Sequence, residues 1–332
     1  MKICTKCVLP ETFPGIRFNR EGVCNFCLEL RPERLTVKKA EYRERFEHLV
    51  KERAGKSAYD AILSYSGGKD STFTLLTLRR DYRLNVLAFT MDNGFMSKRA
   101  VENIREVTSR LGVDHIMFRP RFDVLRAIFS ECARRSVYPL SALERASGIC
   151  NACMSIIRYS TLRVAIEKKI PFVVYGWSPG QAPITSSIMM NNATMLRLMQ
   201  KKALAPLNDI VGSAIDPYFL SPDYLRDGRE LPANVHPLAF LEYDEKAIFK
   251  AIKKLGWRAP KDTDANSTNC LLNSFANKVH KKQLGFHPYA FELAGLVRQG
   301  YLERSTALAR LESMEDDALI DSIRSRLGLN EQ

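Results

Sequence analysis

From residue 59 onward, short apolar runs alternate with stretches of helical periodicity. Residues 59–65, Tyr-Asp-Ala-Ile-Leu-Ser-Tyr, read as a strand that enters a glycine turn, and residues 72–80 continue as a helix. The same alternation gives strands over 86–91, 115–118 and 171–175, separated by helices over 97–111, 124–135 and 153–169. Strands spaced by helices of this length predict an α/β fold built on a doubly wound parallel sheet. Ligands in such sheets sit at the carboxyl ends of the strands. The loops 66–71, 92–95 and 176–181 each follow a strand and should share one rim. Asp92 and Gly176, which open the second and third of these loops, are therefore candidate cofactor contacts.

The flanks follow other patterns. Residues 37–56 read as a charged connecting helix, and 184–200 are rich in methionine, which suits a flexible core segment or a lid. Residues 216–235 mix Pro, Gly and charge and read as an irregular surface excursion. A helix over 244–254 ends at Gly256, and 289–329 carry two or three amphipathic helices that cover the core or form a homodimer contact. Three regions result: 1–34 as an N-terminal metal element, 35–275 as the catalytic domain, and 276–332 as a helical extension.

The 332 residues are 45% hydrophobic, enough to build a core and to exclude wholesale disorder. No apolar run reaches the ~18 residues of a membrane span, and Met1-Lys2-Ile3-Cys4 does not open a signal peptide. The expectation is a soluble cytoplasmic protein with reduced thiols. A net charge of +13 suits a polyanionic partner such as nucleic acid or a phosphorylated ligand, and equally suits ordinary solubility.

Reduced thiols make the eight cysteines informative. Cys4 and Cys7 are followed, after sixteen residues, by Cys24 and Cys27. Two such knuckles provide four thiolates for one zinc ion, and four filled positions make the site structural. Cys150 and Cys153 form a third pair, which alone could be a redox dithiol, half a metal site or core. Cys270 lies in a polar loop, Asn-Ser-Thr-Asn-Cys. Three thiolates from two distant loops suit a [4Fe–4S] cluster with one iron left open. Cys132, on the pattern Val124, Ile128, Cys132, fills core.

The turn after the first strand reads Ser66-Gly67-Gly68-Lys69-Asp70-Ser71. Strand, glycine turn and helix together aim backbone N–H groups and a positive helix end at an anion. Lys69 adds charge, Ser66 and Ser71 add hydroxyls, and the spacing is not that of a Walker loop.

These six residues resemble the pyrophosphate loop of the PP-loop ATPases, whose fold is HUP-like. The resemblance implies that Ser66, Gly67, Gly68, Lys69, Asp70 and Ser71 bind ATP, with Asp70 holding Mg²⁺ and Lys69 and Asp70 taking part in catalysis. A substrate oxygen would attack the α-phosphate and pyrophosphate would leave. Zinc knuckles, the Cys150-x-x-Cys153 pair with Arg158-Tyr159, and a late cysteine resemble the two-thiouridine tRNA sulfurtransferases over roughly residues 55–275. That resemblance implies a carbonyl oxygen replaced by sulfur, on tRNA or a small molecule, with a sulfur donor as partner. It makes Cys150, Cys153 and Cys270 cluster ligands, gives Cys150 and Cys153 a catalytic part in delivering sulfur from the open iron or from a persulfide, and turns Arg158 toward the site as a further catalytic residue. Two positions depart: Ile157 stands where those enzymes carry lysine, and Gly176-Trp177-Ser178-Pro179-Gly180-Gln181 replaces their G-H-N-x-D-D, so Gln181 takes the place of an acid. The opening Cys4 to Ile16, with Gly22-Val23-Cys24, also resembles N-acetyl sugar amidotransferases, which implies ammonia from a glutaminase subunit instead of sulfur.

Overall fold

A computed structural model describes residues 1–181, 183–226, 228, 230–313 and 316–329. Six strands form one sheet: β1 (Ala61–Ser64), β2 (Val86–Met91), β3 (Asp114–Phe118), β4 (Phe172–Tyr175), β5 (Ile188–Met190) and β6 (Ala233–Val235). Their order is β3-β2-β1-β4-β6-β5, parallel throughout except for β5, which runs antiparallel to β6 at the edge. The chain winds outward from β1 to β3 and then returns to the other side at β4. The reversal falls between β1 and β4, where a crevice opens at the strand ends.

The helices are α1 (Asn25–Glu29), α2 (Pro32–Arg53), α3 (Lys69–Arg80), α4 (Lys98–Leu111), α5 (Phe122–Arg134), α6 (Leu140–Leu143) and α7 (Gly148–Glu167) in the first half. Then come α8 (Ala193–Val211), α9 (Glu245–Lys253), α10 (Leu272–Leu284), α11 (Ala290–Arg298), α12 (Arg304–Leu311) and α13 (Asp317–Leu327). Alternate strand residues feed two cores, as the pleat requires. Leu63, Ala88, Phe172 and Val174 face one core with Phe46 of α2, Leu75 of α3 and Ile104 of α4. Ile62, Leu87, Phe89 and Val173 face the other with α5, α7, α10 and α13. No helix among the described residues is long and apolar enough to cross a membrane.

Three expectations change. The segment 216–235, expected as a surface excursion, ends in β6, an interior strand with Ala233 and Val235 fully buried. Three residues after a proline are too few to show a period of two. The methionine-rich segment 184–200 supplies an edge strand, β5, and the start of α8. The boundary expected at 275/276 falls inside α10, and α13 packs its Ile320, Ile323 and Leu327 into the second core. The described residues of α10 to α13 thus pack into the same two cores as the sheet.

Candidate active site

The turn after β1 delivers Ser66–Ser71 to the rim. Gly67 adopts φ +73°, and a Cβ there would lie 2.7 Å from the Ala100 carbonyl, so only glycine fits. The Trp257 indole N–H donates to the Gly67 carbonyl at 2.9 Å, which fixes the turn from behind. Ser66 and Ser71 hydroxyls meet at 3.0 Å, and α3 starts at Lys69 with its N-terminus turned to the crevice. Gly176, expected as a nucleotide contact, packs instead against that first turn: a Cβ would lie 2.5 Å from Ser71 Cα.

Lys69 is the centre of a buried charge cluster. Its ammonium donates to Glu245 at 2.5 Å and to the Tyr243 hydroxyl at 2.9 Å, and stands 3.4 Å from Asp70. Burial works against the ammonium, but Asp70 and Glu245 outweigh it and raise its pKa above the ordinary lysine value. Burial pushes the Asp70 carboxyl up, against the pull of Lys69 and of the Tyr243 hydroxyl that donates to it at 3.1 Å. Glu245 is held low, because Arg310 at 2.5 Å and Lys69 outweigh its own desolvation. Tyr243, Glu245 and Arg310 carried no sequence signal. They come from the loop before α9, from α9 and from α12, and only the fold brings them to Lys69.

A third carboxyl acts on the same cluster. Glu292 on α11 accepts a hydrogen bond from Ser178 Oγ at 2.6 Å, and Gln181 Oε1 accepts from the Ser178 N–H at 2.8 Å. Desolvation lifts the Glu292 carboxyl to about 7, partly opposed by Ser178 and reinforced by Asp70. The helix approaches this closely because a Cβ on Gly180 would overlap the Glu292 carbonyl and one on Gly295 would lie 2.9 Å from Gly180 Cα. The rim loop lacks an acid at Gln181, but α11 puts a carboxyl beside it.

Cys153 and Cys270 share one neighbour, and Cys150 lies near enough for its charge to act on Cys153 and to feel that of Cys270. Asn93 Nδ2, after β2, stands 3.6 Å from Cys153 Sγ and 3.6 Å from Cys270 Sγ, so these sulfurs are at most about 7 Å apart. The α7 helix starts at Gly148, earlier than expected, because Ser147 caps it by accepting from the Cys150 N–H at 3.1 Å. Both cysteines therefore sit in its first two turns. Burial pushes the Cys150 thiol up to about 11 and raises Cys153 and Cys270 as well. Arg158, expected beside these sulfurs, lies by the end of β4, where its charge acts on Tyr159, Tyr175 and His236. There His236 is stacked on Trp177 with ring centres 4.3 Å apart and kept neutral by burial.

One strand of loop joins the two groups. Thr268 Oγ1 accepts from the Lys69 N–H at 2.9 Å, and Cys270 follows two residues later. Asp92, a candidate cofactor contact, is engaged by Arg119 through Nε at 2.9 Å and Nη2 at 2.5 Å and caps the Gly94 N–H at 2.8 Å. It borders a 260 Å³ cavity with Asn93, Phe122 and Arg326.

The N-terminal cysteines form a separate site. The four sulfurs of Cys4, Cys7, Cys24 and Cys27 lie within 4.8 Å of one another, with pairs at 3.8 and 3.7 Å. Thiolates about 2.3 Å from one tetrahedral ion are about 3.8 Å apart, so these residues fit a four-coordinate metal. Hydrogen bonds from Cys24 and Cys27 pull the Cys7 thiol far down, and Arg298 adds to the effect. Arg304 donates to the carbonyls of Cys4 and Cys7, both at 2.9 Å. Cys132 is a buried core thiol, as its periodicity indicated.

No known family model matches the chain. An uncharacterized protein of Methanocaldococcus jannaschii, MJ1599, is 26% identical over 312 residues, which cover 93% of this chain and 92% of that protein. Among solved structures, the U34-tRNA thiolase NcsA of Methanococcus maripaludis with its [4Fe-4S] cluster is 17% identical, with a TM-score of 0.37, covering 100% of this chain and 99% of that one. NMN synthetase of Francisella tularensis is 13% identical with a TM-score of 0.38, covering 92% and 99%. The NH3-dependent NAD synthetase of Campylobacter jejuni is 12% identical with a TM-score of 0.37, covering 86% and 99%. The turn at Ser66–Ser71 stands at the end of the strand beside the sheet's reversal.

Proposed function

We propose that this chain is an ATP-dependent enzyme that adenylates a carbonyl oxygen of its acceptor and replaces that oxygen with sulfur. The observation that carries this reading is the loop Thr268–Cys270. It contacts the phosphate turn at Lys69 and places Cys270 with Cys153 around Asn93, so activation and sulfur delivery would be one loop apart.

The phosphates of ATP would lie over the α3 N-terminus, and Lys69 would exchange its carboxylate partners for phosphate oxygens. Asp70 is placed to hold Mg²⁺, which would neutralise phosphate charge. The acceptor oxygen attacks the α-phosphorus, the bond to the β-phosphate oxygen breaks, and pyrophosphate leaves. Sulfur then adds to the activated carbon and AMP departs with the original oxygen. Half-buried, close to one another and drawn from two segments, Cys150, Cys153 and Cys270 fit three ligands of a [4Fe–4S] cluster; its fourth iron would bind sulfide. Zinc at Cys4, Cys7, Cys24 and Cys27 would hold residues 1–34 in shape. The +13 charge suits tRNA as acceptor, and a small molecule would meet the same chemistry. Delivery of ammonia instead of sulfur would leave three converging thiols without a task.

Anaerobic purification tests the reading. Brown protein with about four irons per chain, forming AMP and pyrophosphate from ATP only with acceptor and sulfide, is expected. Colourless protein that carries zinc alone and turns over with ammonia would overturn it.

A further inference from the structure

Asn93 has no part in the reaction above, yet its side chain is buried between two of the three sulfurs. Its orientation is unambiguous. Asn93 Oδ1 accepts from the Phe95 N–H at 2.9 Å, so the amide nitrogen must face the cysteines. That nitrogen carries two hydrogens, and it has two sulfurs at 3.6 Å, one for each.

The backbone fixes the same arrangement. Leu271 N–H donates to the Phe95 carbonyl at 2.8 Å, and Ser97 N–H donates to the Asn269 carbonyl at 2.9 Å. Met96 and Cys270 thereby pair as a short antiparallel bridge. The loop after β2 thus holds Cys270 through its main chain and both sulfurs through one side chain. Neutral thiols ordered only by packing would not require an amide pointed at each.

We propose that Asn93 is the positioning residue of the three-cysteine site, setting the separation of Cys153 and Cys270 and donating hydrogen bonds to both sulfurs once they carry charge. This rests on the proposed cluster at those cysteines. Hydrogen bonds to ligand sulfurs stabilise the more negative, reduced state, so they raise the reduction potential.

The test compares wild-type protein with Asn93→Asp and Asn93→Ser after anaerobic reconstitution with iron and sulfide, using potentiometric titration followed by electron paramagnetic resonance. Both variants keep an oxygen for the Phe95 N–H and remove the amide donor. The expected result is a shift to lower potential, larger for Asp, or loss of the cluster from variants with a wild-type circular dichroism spectrum. A wild-type potential in either folded variant overturns the role of Asn93 while leaving the cluster in place. Wild-type protein that takes up no iron overturns the cluster reading itself, and this proposal with it.

Discussion

Glu292 gives the sharpest quantitative test of the site's electrostatics. Its carboxyl is lifted from 4.5 to about 7 by desolvation. Each pH unit of such a difference corresponds to about 1.4 kcal/mol, so ionising Glu292 in place costs the fold up to about 3 kcal/mol. The sign follows from the direction. An acid whose folded pKa is raised stabilises the protein fully below the unfolded value near 4.5 and loses that contribution as pH rises through about 7. Glu292→Gln keeps an acceptor oxygen for Ser178 and removes the titration. Lys69 keeps Asp70 and Glu245, so its cluster remains paired. The entropy of unfolding of a chain this size is about 0.7 kcal/mol/K. The melting temperature of Glu292→Gln minus that of wild type should therefore rise by about 4 °C between pH 4.5 and pH 8. Differential scanning calorimetry of both proteins across that range measures it. A difference that stays flat with pH would show that Glu292 is ionised in the fold at ordinary cost, and the desolvated cluster described here would be wrong.

Other outcomes follow from the same geometry. Lys69→Ala or Asp70→Asn should abolish AMP formation, by a factor of about 10³ or more, in protein that retains a folded circular dichroism spectrum, as read by nucleotide chromatography. Normal turnover in either variant would remove the adenylation step. Cys4→Ser or Cys24→Ser should lower bound zinc from one ion per chain to none and expose residues 1–34 to protease, as seen by elemental analysis and limited proteolysis. Gly180→Ala, whose new Cβ meets backbone atoms of α11 that cannot turn aside, should cost about 1–3 kcal/mol in urea denaturation.

The sequence made β1, β2 and β4 legible because they are buried on both faces and read as apolar runs, while β3, an edge strand with Asp114 and Met117 exposed, was marked by its place between two helices. The knuckle cysteines and the glycine turn were legible for a different reason: their chemistry is carried by spacing along the chain. β5 and β6 were not, since three residues cannot establish a period and their pairing is antiparallel at an edge. Tyr243, Glu245, Glu292 and Arg310 were invisible for a third reason. A lone acid or tyrosine on an amphipathic helix has the pattern of a solvated face, and only the packing of α9, α11 and α12 over the crevice makes these residues site residues. Asn93 belongs with them, since its meaning depends on two sulfurs 60 and 177 residues away.

That packing also gives the N-terminal metal element a mechanical link to the chemistry. Phe13 stacks on Phe291 with ring centres 5.7 Å apart, and Phe26 meets the same ring edge-on at 6.1 Å. Arg298 sits over Phe26 and Phe291 and approaches Cys7 Sγ at 3.8 Å. Phe291 is the neighbour of Glu292, so one turn of α11 has its ring in the cysteine element and its carboxyl in the Lys69 cluster. A metal that fixes Cys4, Cys7, Cys24 and Cys27 therefore fixes the surface against which α11 docks. Val8, Leu9 and Phe13 of the same element are buried in the core beside the sheet, so the metal and this packing would act together on that surface. Through Phe291 the element thus touches the helix turn that carries Glu292.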